Sequence, residues 1–246
     1  MTARTLTALP VYNEGAHILG VLEGALHYSQ EVLVVDDGST DATPQILAAR
    51  NDIYVIRHPH NLGYGAAVRS AFQFAISNNY DTLVTIDCDG QHQPQMIPSF
   101  VRAAATAEVV SGSRYLRRFP GDSEPPADRR RINQIITEEL NRRLGLRLTD
   151  AFCGFKAYRV EALRKVRITE TGYAMPIEFW VQAARLGLSI VELAVPLIYL
   201  DESRSFGGAM DNAEVRLAVY REVLERCLAQ PVAEAHPAPA VAPCPD

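Results

Sequence analysis

Glu31-Val32-Leu33-Val34-Val35-Asp36-Asp37-Gly38-Ser39-Thr40-Asp41 runs from an unbroken apolar stretch straight into carboxylates, a glycine and two hydroxyls. Glu31–Val35 reads as a strand with no wet face, which is how strands look when helices cover both sides of a sheet. The flanks repeat the pattern. Leu6–Val11, Ile53–Arg57, Thr82–Ile86 and Glu108–Ser113 read as strands, and His17–Tyr28, Asp41–Arg50, Gly65–Ser77 and Gln95–Ala105 as the helices between them. Such β-α repetition predicts one mostly parallel sheet with helices on both faces. Beyond it, Arg117–Arg131 reads as a polar loop, with helices over Ile132–Leu144, Pro176–Leu186 and Asn212–Leu228 and a strand-like Ile190–Leu200.

The chain of 246 residues is long enough to bury a substantial core, with 48% hydrophobic and 22% charged residues. A net charge of −5 gives no overall attraction to nucleic acid or an anionic surface, so an anion site has to be local. Four cysteines, at 88, 153, 227 and 244, lack metal-site or framework spacing and read as reduced thiols, giving a cytoplasmic expectation. Residues 1–8 do not read as a signal peptide, and no run reaches the eighteen or so apolar residues of a membrane span. Peripheral contact with the inner face of a membrane stays open. Residues 1–228 are expected to form the folded domain. Residues 229–246, rich in Ala and carrying five prolines, are expected to be a disordered tail.

In a parallel sheet, ligands bind beyond the carboxyl ends of the strands. Those ends carry Pro10-Val11-Tyr12-Asn13-Glu14, Asp36-Asp37-Gly38, Asn61-Leu62-Gly63-Tyr64-Gly65 and Asp87-Cys88-Asp89-Gly90-Gln91. Asp87 and Asp89 alternate along an extended segment, so both carboxylates point to one side and Gln91 adds a third oxygen there. Hard oxygen ligands suit Mg²⁺ or Mn²⁺, with the remaining positions filled by water and substrate phosphate. Alone, the D-x-D triplet also fits a solvated turn. The glycine pair at 63 and 65 fails as a dinucleotide fingerprint, because Val68 stands where the third glycine belongs. It fits either a ligand-facing loop or a plain connection.

In combination, P-x-Y-N-E, D-D-G-S-x-D, N-x-G-x-G-x-A and D-x-D-x-Q-H-x-P resemble the family 2 glycosyltransferases of GT-A fold. Within them the chain looks most like the polyprenyl-phosphate hexosyltransferases, such as the dolichyl-phosphate mannose synthases. Gly112-Ser113-Arg114-Tyr115, Asp150 followed by Gly154-Phe155-Lys156, and the stretch from Gly187 to Pro196 fit as well.

The resemblance implies a metal-dependent, inverting transfer of a hexose from a nucleotide diphosphate sugar, of GDP-mannose or UDP-glucose type, to a polyprenyl phosphate. It puts Pro10, Tyr12, Glu14, Asp36, Asp37, Gly63 and the Asp87–Gln91 segment, Cys88 included, around the donor. Asp87, Asp89 and Gln91 would hold Mg²⁺ or Mn²⁺, with Cys88 packing inward and His92 structural. Arg114, Arg131 and Arg204 would surround phosphates, suited by their planar donor forks. Asp150 would face the acceptor, as a general base if that acceptor is a hydroxyl. The arginines at 117, 118, 129, 130, 142 and 143 fit a patch for a lipid phosphate or an anionic surface, or solvated faces. One motif departs from the family: in Arg204-Ser205-Phe206-Gly207-Gly208-Ala209-Met210, Ala209 and Met210 replace a serine and a lysine. Two alternatives stay open, a soluble sugar, glycerate-type acid or glycan hydroxyl as acceptor, and a catalytically weakened nucleotide-sugar-binding protein.

Overall fold

The structure, a computed structural model, describes residues 3–200 and 206–230. Seven strands form one sheet: β1 (Thr5–Val11), β2 (Glu31–Asp36), β3 (Tyr54–Arg57), β4 (Thr82–Thr85), β5 (Val109–Ser113), β6 (Lys156–Arg159) and β7 (Ile190–Ala194), in the order β3-β2-β1-β4-β6-β5-β7. β1 pairs in parallel with β2 and β4, β2 with β3, and β5 with β7. β6 runs antiparallel between β4 and β5. The expected parallel sheet is therefore present, with one reversed strand near its middle. Lys-Ala-Tyr-Arg is short and carries a charge at each end, so its composition gave no strand signal.

The helices are α1 (Ile18–Tyr28), α2 (Thr43–Ala48), α3 (Tyr64–Ser77), α4 (Ile97–Ala104), α5 (Ala127–Leu144), α6 (Val160–Leu163), α7 (Met175–Arg185) and α8 (Ala213–Ala229). Alternation along the strands splits the core in two. Leu33 and Val35 face a cluster with Ala71 of α3, Ile136 of α5, Trp180 of α7 and Leu224 of α8. Val32 and Val34 face the other, with Leu22 of α1, Leu47 of α2 and Phe100 of α4. The sheet is thus covered on both faces.

Two elements differ from the sequence reading in ways that bear on function. α5 starts at Ala127, directly after Pro126, and not at Ile132. This puts Arg129, Arg130 and Arg131 on a helix, where consecutive side chains point about 100° apart. β7 stops at Ala194, short of Pro196, which has no N–H to offer a ladder. The tail expectation falls on 231–246, outside the described residues, and Ala229 still belongs to α8. Among the described residues no helix is long and apolar enough to cross a membrane.

Candidate active site

A cleft of about 630 Å³ opens beyond the carboxyl ends of β1, β2 and β4. One wall comes from the loops after these strands. Pro10, Tyr12, Glu14, Asp37, Gly63, Asp87, Cys88, Asp89 and Gln91 all line it.

Two loops of this wall are tied by backbone-to-side-chain hydrogen bonds. Asn13, in the left-handed region at φ 55°, accepts at Oδ1 from the Thr40 N–H at 2.8 Å, and its own N–H donates to Ser39 Oγ at 2.8 Å. Thr43 Oγ1 accepts from the Glu14 N–H at 3.0 Å, and Asp41 Oδ2 from the Gly15 N–H at 2.8 Å. The polar motifs after β1 and β2 are therefore in large part a zipper that fixes the floor of the cleft.

The two neighbouring aspartates part company. Asp36 does not face the cleft, contrary to the expectation of donor contact. It is fully buried at the end of β2, accepts from the Ser39 N–H at 2.9 Å, and lies 3.3 Å from Arg57 Nε. Asp37 does line the cleft and organises the third loop, taking the N–H groups of Leu62 at 3.0 Å and Gly63 at 2.8 Å. Its Oδ1 also lies 2.6 Å from His58 Nδ1, whose Nε2 is 2.9 Å from Ser70 Oγ. His58 is a site-building residue that the sequence did not disclose. Gly63 has φ 103°, and a Cβ there would come within 2.3 Å of the Thr171 carbonyl oxygen. Close packing on that backbone accounts for this glycine.

Asp87 lies between Tyr64, whose hydroxyl donates to Oδ1 at 3.3 Å, and His92, whose Nε2 is 3.2 Å from Oδ2. Burial opposes its ionisation, but the His92 bond and the charges of His92, Lys156 and Arg114 hold the carboxyl below its ordinary value. Directly beneath is Gly154, where a Cβ would fall 2.0 Å from Asp87 Oδ2. No larger residue leaves Asp87 in place. Asp89 accepts from the Gln91 N–H at 3.0 Å, and the Cys88 side chain is buried in the core that includes Ile86 and Phe155. Among the described residues no three His, Cys, Asp or Glu side chains converge to hold a metal. Asp87, Asp89 and Gln91 line the cleft together, oxygen donors of the class that Mg²⁺ or Mn²⁺ takes beside water and phosphate.

The opposite wall is cationic and aromatic. Arg114 makes a two-pronged pair with Asp150, Nε to Oδ2 at 2.6 Å and Nη2 to Oδ1 at 2.9 Å. Asn133 Nδ2 donates to Asp150 Oδ1 at 2.7 Å, and the Phe152 N–H to the same oxygen at 3.1 Å. Asp150 is fully buried and does not line the cleft. Burial alone would raise its pKa, yet the charge and hydrogen bonds of Arg114 and Asn133 carry it far below the carboxylate range. So held, Asp150 serves as the counter-charge of Arg114. Its place is behind Arg114.

Arg131 corrects a second expectation. Its side chain is 58% exposed and pairs with Glu214 at 3.1 Å, away from the cleft. Arg129 lines the cleft, with Ile132 and Asn133 one turn further along α5, and its guanidinium lies 4.8 Å from the ring centre of Phe206. Arg216, buried on α8, also faces the cleft. It sits 4.5 Å over Phe206, pairs with Asp128 at 2.5 Å and donates to the Met210 carbonyl at 2.8 Å. The short turn Gly208–Asp211, which contains Ala209 and Met210, is thereby anchored to α8. Arg204 lies outside the described residues.

The family model for glycosyl transferase family 2 matches residues 7–167, which carry the whole acidic wall and Asp150. The chain belongs to this family. This family 2 glycosyltransferase is 35% identical over 228 residues to the undecaprenyl-phosphate mannosyltransferase of Micrococcus luteus, covering 87% of the chain and 92% of the relative. It is 32% identical to the polyprenol monophosphomannose synthase of Mycolicibacterium smegmatis, covering 89% and 86%. Among solved structures, the glucosyl-3-phosphoglycerate synthase of Mycobacterium tuberculosis in complex with UDP superposes with a TM-score of 0.71 at 21% identity, over 94% of this chain and 82% of that one. The shared architecture is the GT-A fold.

Proposed function

We propose that this glycosyltransferase moves a hexose, of the GDP-mannose or UDP-glucose type, from its nucleotide diphosphate to the phosphate of a polyprenyl phosphate. The reaction is one inverting displacement. Among the described residues, the carboxylates that line the cleft, Glu14, Asp37, Asp87 and Asp89, all come from the strand-end wall. The facing wall presents Arg114, Arg129 and Arg216, while Asp150 is locked behind Arg114. That division carries the reading. A hydroxyl acceptor needs a base, whereas a phosphate arrives ionised and needs cations. The names of the mannosyltransferase and mannose synthase relatives support the same acceptor and favour mannose.

In this reading Pro10, Tyr12, Glu14 and Asp37 border the nucleotide. Asp87, Asp89 and Gln91 hold a divalent ion, which stabilises the charge that develops on the departing diphosphate. A fold neighbour solved with Mn²⁺ and UDP supports this choice of ion. Tyr64, His92 and Gly154 keep Asp87 in place. Arg114 and Arg129 hold the acceptor phosphate, and Asp150 and Asn133 fix the orientation of Arg114.

The test is a donor panel. Purified protein is mixed with membrane-extracted polyprenyl phosphate and labelled GDP-mannose or UDP-glucose, with Mn²⁺, Mg²⁺ or chelator. Label is expected in the organic phase for one donor, and to disappear with chelator. Organic-phase label from neither donor, with sugar passing to water-soluble hydroxyl acceptors, would overturn the reading.

A further inference from the structure

We infer that the rim of the cleft at its arginine end is a docking surface for an anionic bilayer, a proposal that rests on the lipid-phosphate acceptor reading above. Tyr115 and Tyr199 line the cleft, and the residue following each is exposed: Leu116 is 45% exposed on the arginine side, and Leu200 is 61% exposed where its Cδ1 meets Gly90 at the edge of the acidic loop. Leu200 is the most exposed large apolar side chain among the described residues. The segments that carry the two leucines are stitched together. The Ser123 N–H donates to the Leu197 carbonyl at 2.8 Å, the Leu197 N–H to Asp122 Oδ1 at 3.0 Å, and the Tyr199 N–H to Ser123 Oγ at 3.1 Å.

The charge of this rim runs against that of the chain. Residues 114–131 hold six arginines against three carboxylates, in a protein of net charge −5. Arg117, Arg118 and Arg130 are exposed and line a second, smaller hollow of about 160 Å³, together with Arg114, Asp122 and Glu124. Arg117 lies 4.3 Å over the Phe119 ring, so an aromatic surface supports its cation. Arg118 pairs with Glu124 at 2.5 Å, but both side chains are more than 70% exposed. Such a pair contributes little in water and can be exchanged for a lipid phosphate at small cost. Leucines and arginines side by side are the chemistry of an interfacial contact: the leucines enter the headgroup boundary and the arginines meet anionic lipid. Docked this way, the cleft mouth meets the membrane where a lipid phosphate emerges, and the acceptor chain need not leave the bilayer.

The full chain is tested by co-sedimentation with phosphatidylcholine vesicles, with and without about one-third phosphatidylglycerol. Binding to the anionic vesicles only is expected, weakening several-fold as salt rises from about 0.1 to 0.5 M. Arg117→Glu with Arg118→Glu should cut partitioning at least 25-fold, on the basis of roughly fivefold per arginine. Leu116→Ser with Leu200→Ser should cut it about tenfold, and Arg102→Glu, on α4, should leave it unchanged. Equal binding to neutral vesicles, or no response to either double variant, would overturn the proposal. So would a concentration-dependent dimer lost in Leu116→Ser/Leu200→Ser without any vesicle binding. A short-chain, water-soluble polyprenyl phosphate separates the two readings. If it is glycosylated equally by wild type and variants but vesicles never bind, docking fails and the acceptor reading stands. Anionic vesicle binding with no transfer to any lipid phosphate has the opposite meaning.

Discussion

The two walls of the cleft are built by different means. The acidic wall is assembled from loops that directly follow strands, and much of it is held by backbone N–H groups donating to side chains in the neighbouring loop. The cationic wall is assembled by side chains that meet across long sequence separations, as Arg114 meets Asp150 and Arg216 meets Asp128. The first kind of wall tolerates the loss of one functional side chain. The second does not, because Arg114 and Arg216 are each held by a carboxylate from a distant part of the chain, Asp150 and Asp128.

The sharpest way to break this contrast is to unlock Arg114. Asp150→Asn leaves the largely buried guanidinium of Arg114 without its paired carboxylate and should cost about 3 kcal/mol of stability at neutral pH, read by denaturant unfolding. The pH dependence has a definite sign. Asp150's pKa is depressed in the folded state, so its contribution is present above its ordinary value of about 3.9 and is lost as pH falls through the depressed one. Wild-type and Asp150→Asn stabilities should therefore converge in acid. Parallel curves down to about pH 2 would contradict the buried pair.

Asp89→Ala tests the tolerant wall. Turnover should fall by about 10²–10³-fold, the size of effect seen when one stabiliser of developing charge is removed, while the unfolding midpoint stays within about 0.5 kcal/mol of wild type. Collapse of the fold would show that the acidic loops are not tied as described. Gly154→Ala should give a similar loss of rate by displacing Asp87, and rescue of Mn²⁺ affinity in that variant would contradict the close contact.

A smaller effect separates neighbouring arginines. Arg129→Gln should raise the KM for a lipid phosphate about tenfold or more, the equivalent of one charged hydrogen bond. Arg131→Gln should stay within about twofold, since an exposed ion pair contributes little. Equal effects would mean that α5 is turned differently about its axis.

The same contrast explains what the sequence disclosed. The sheet and the acidic wall were legible because strand, loop and motif are contiguous, so reading Leu83 to Gln91 already places Asp87 and Asp89 at a strand end. Even there, which of Asp36 and Asp37 faces the cleft depended on the twist of the chain as it leaves β2. The cationic wall was less legible. Arg129, Arg130 and Arg131 are one residue type three times over, and only the true start of α5 decides their directions. Asp150 kept its motif position, but its partners Arg114 and Asn133 stand on other elements and no local pattern discloses them. Arg216 had no local signal at all: it stands in an ordinary helical stretch, and its burial comes from Phe206 and Asp128.

One competition tests most directly whether the cationic wall takes a phosphate. Polyprenyl phosphate and the matching polyprenol, equal in concentration and chain length, are offered together with labelled nucleotide sugar and divalent metal. Because the arginine wall supplies cations and no facing base, label should enter the phosphate lipid by at least about 100-fold over the alcohol. Comparable labelling of the polyprenol would show that a base serves this wall after all, and that Arg114 and Arg129 do not select the acceptor.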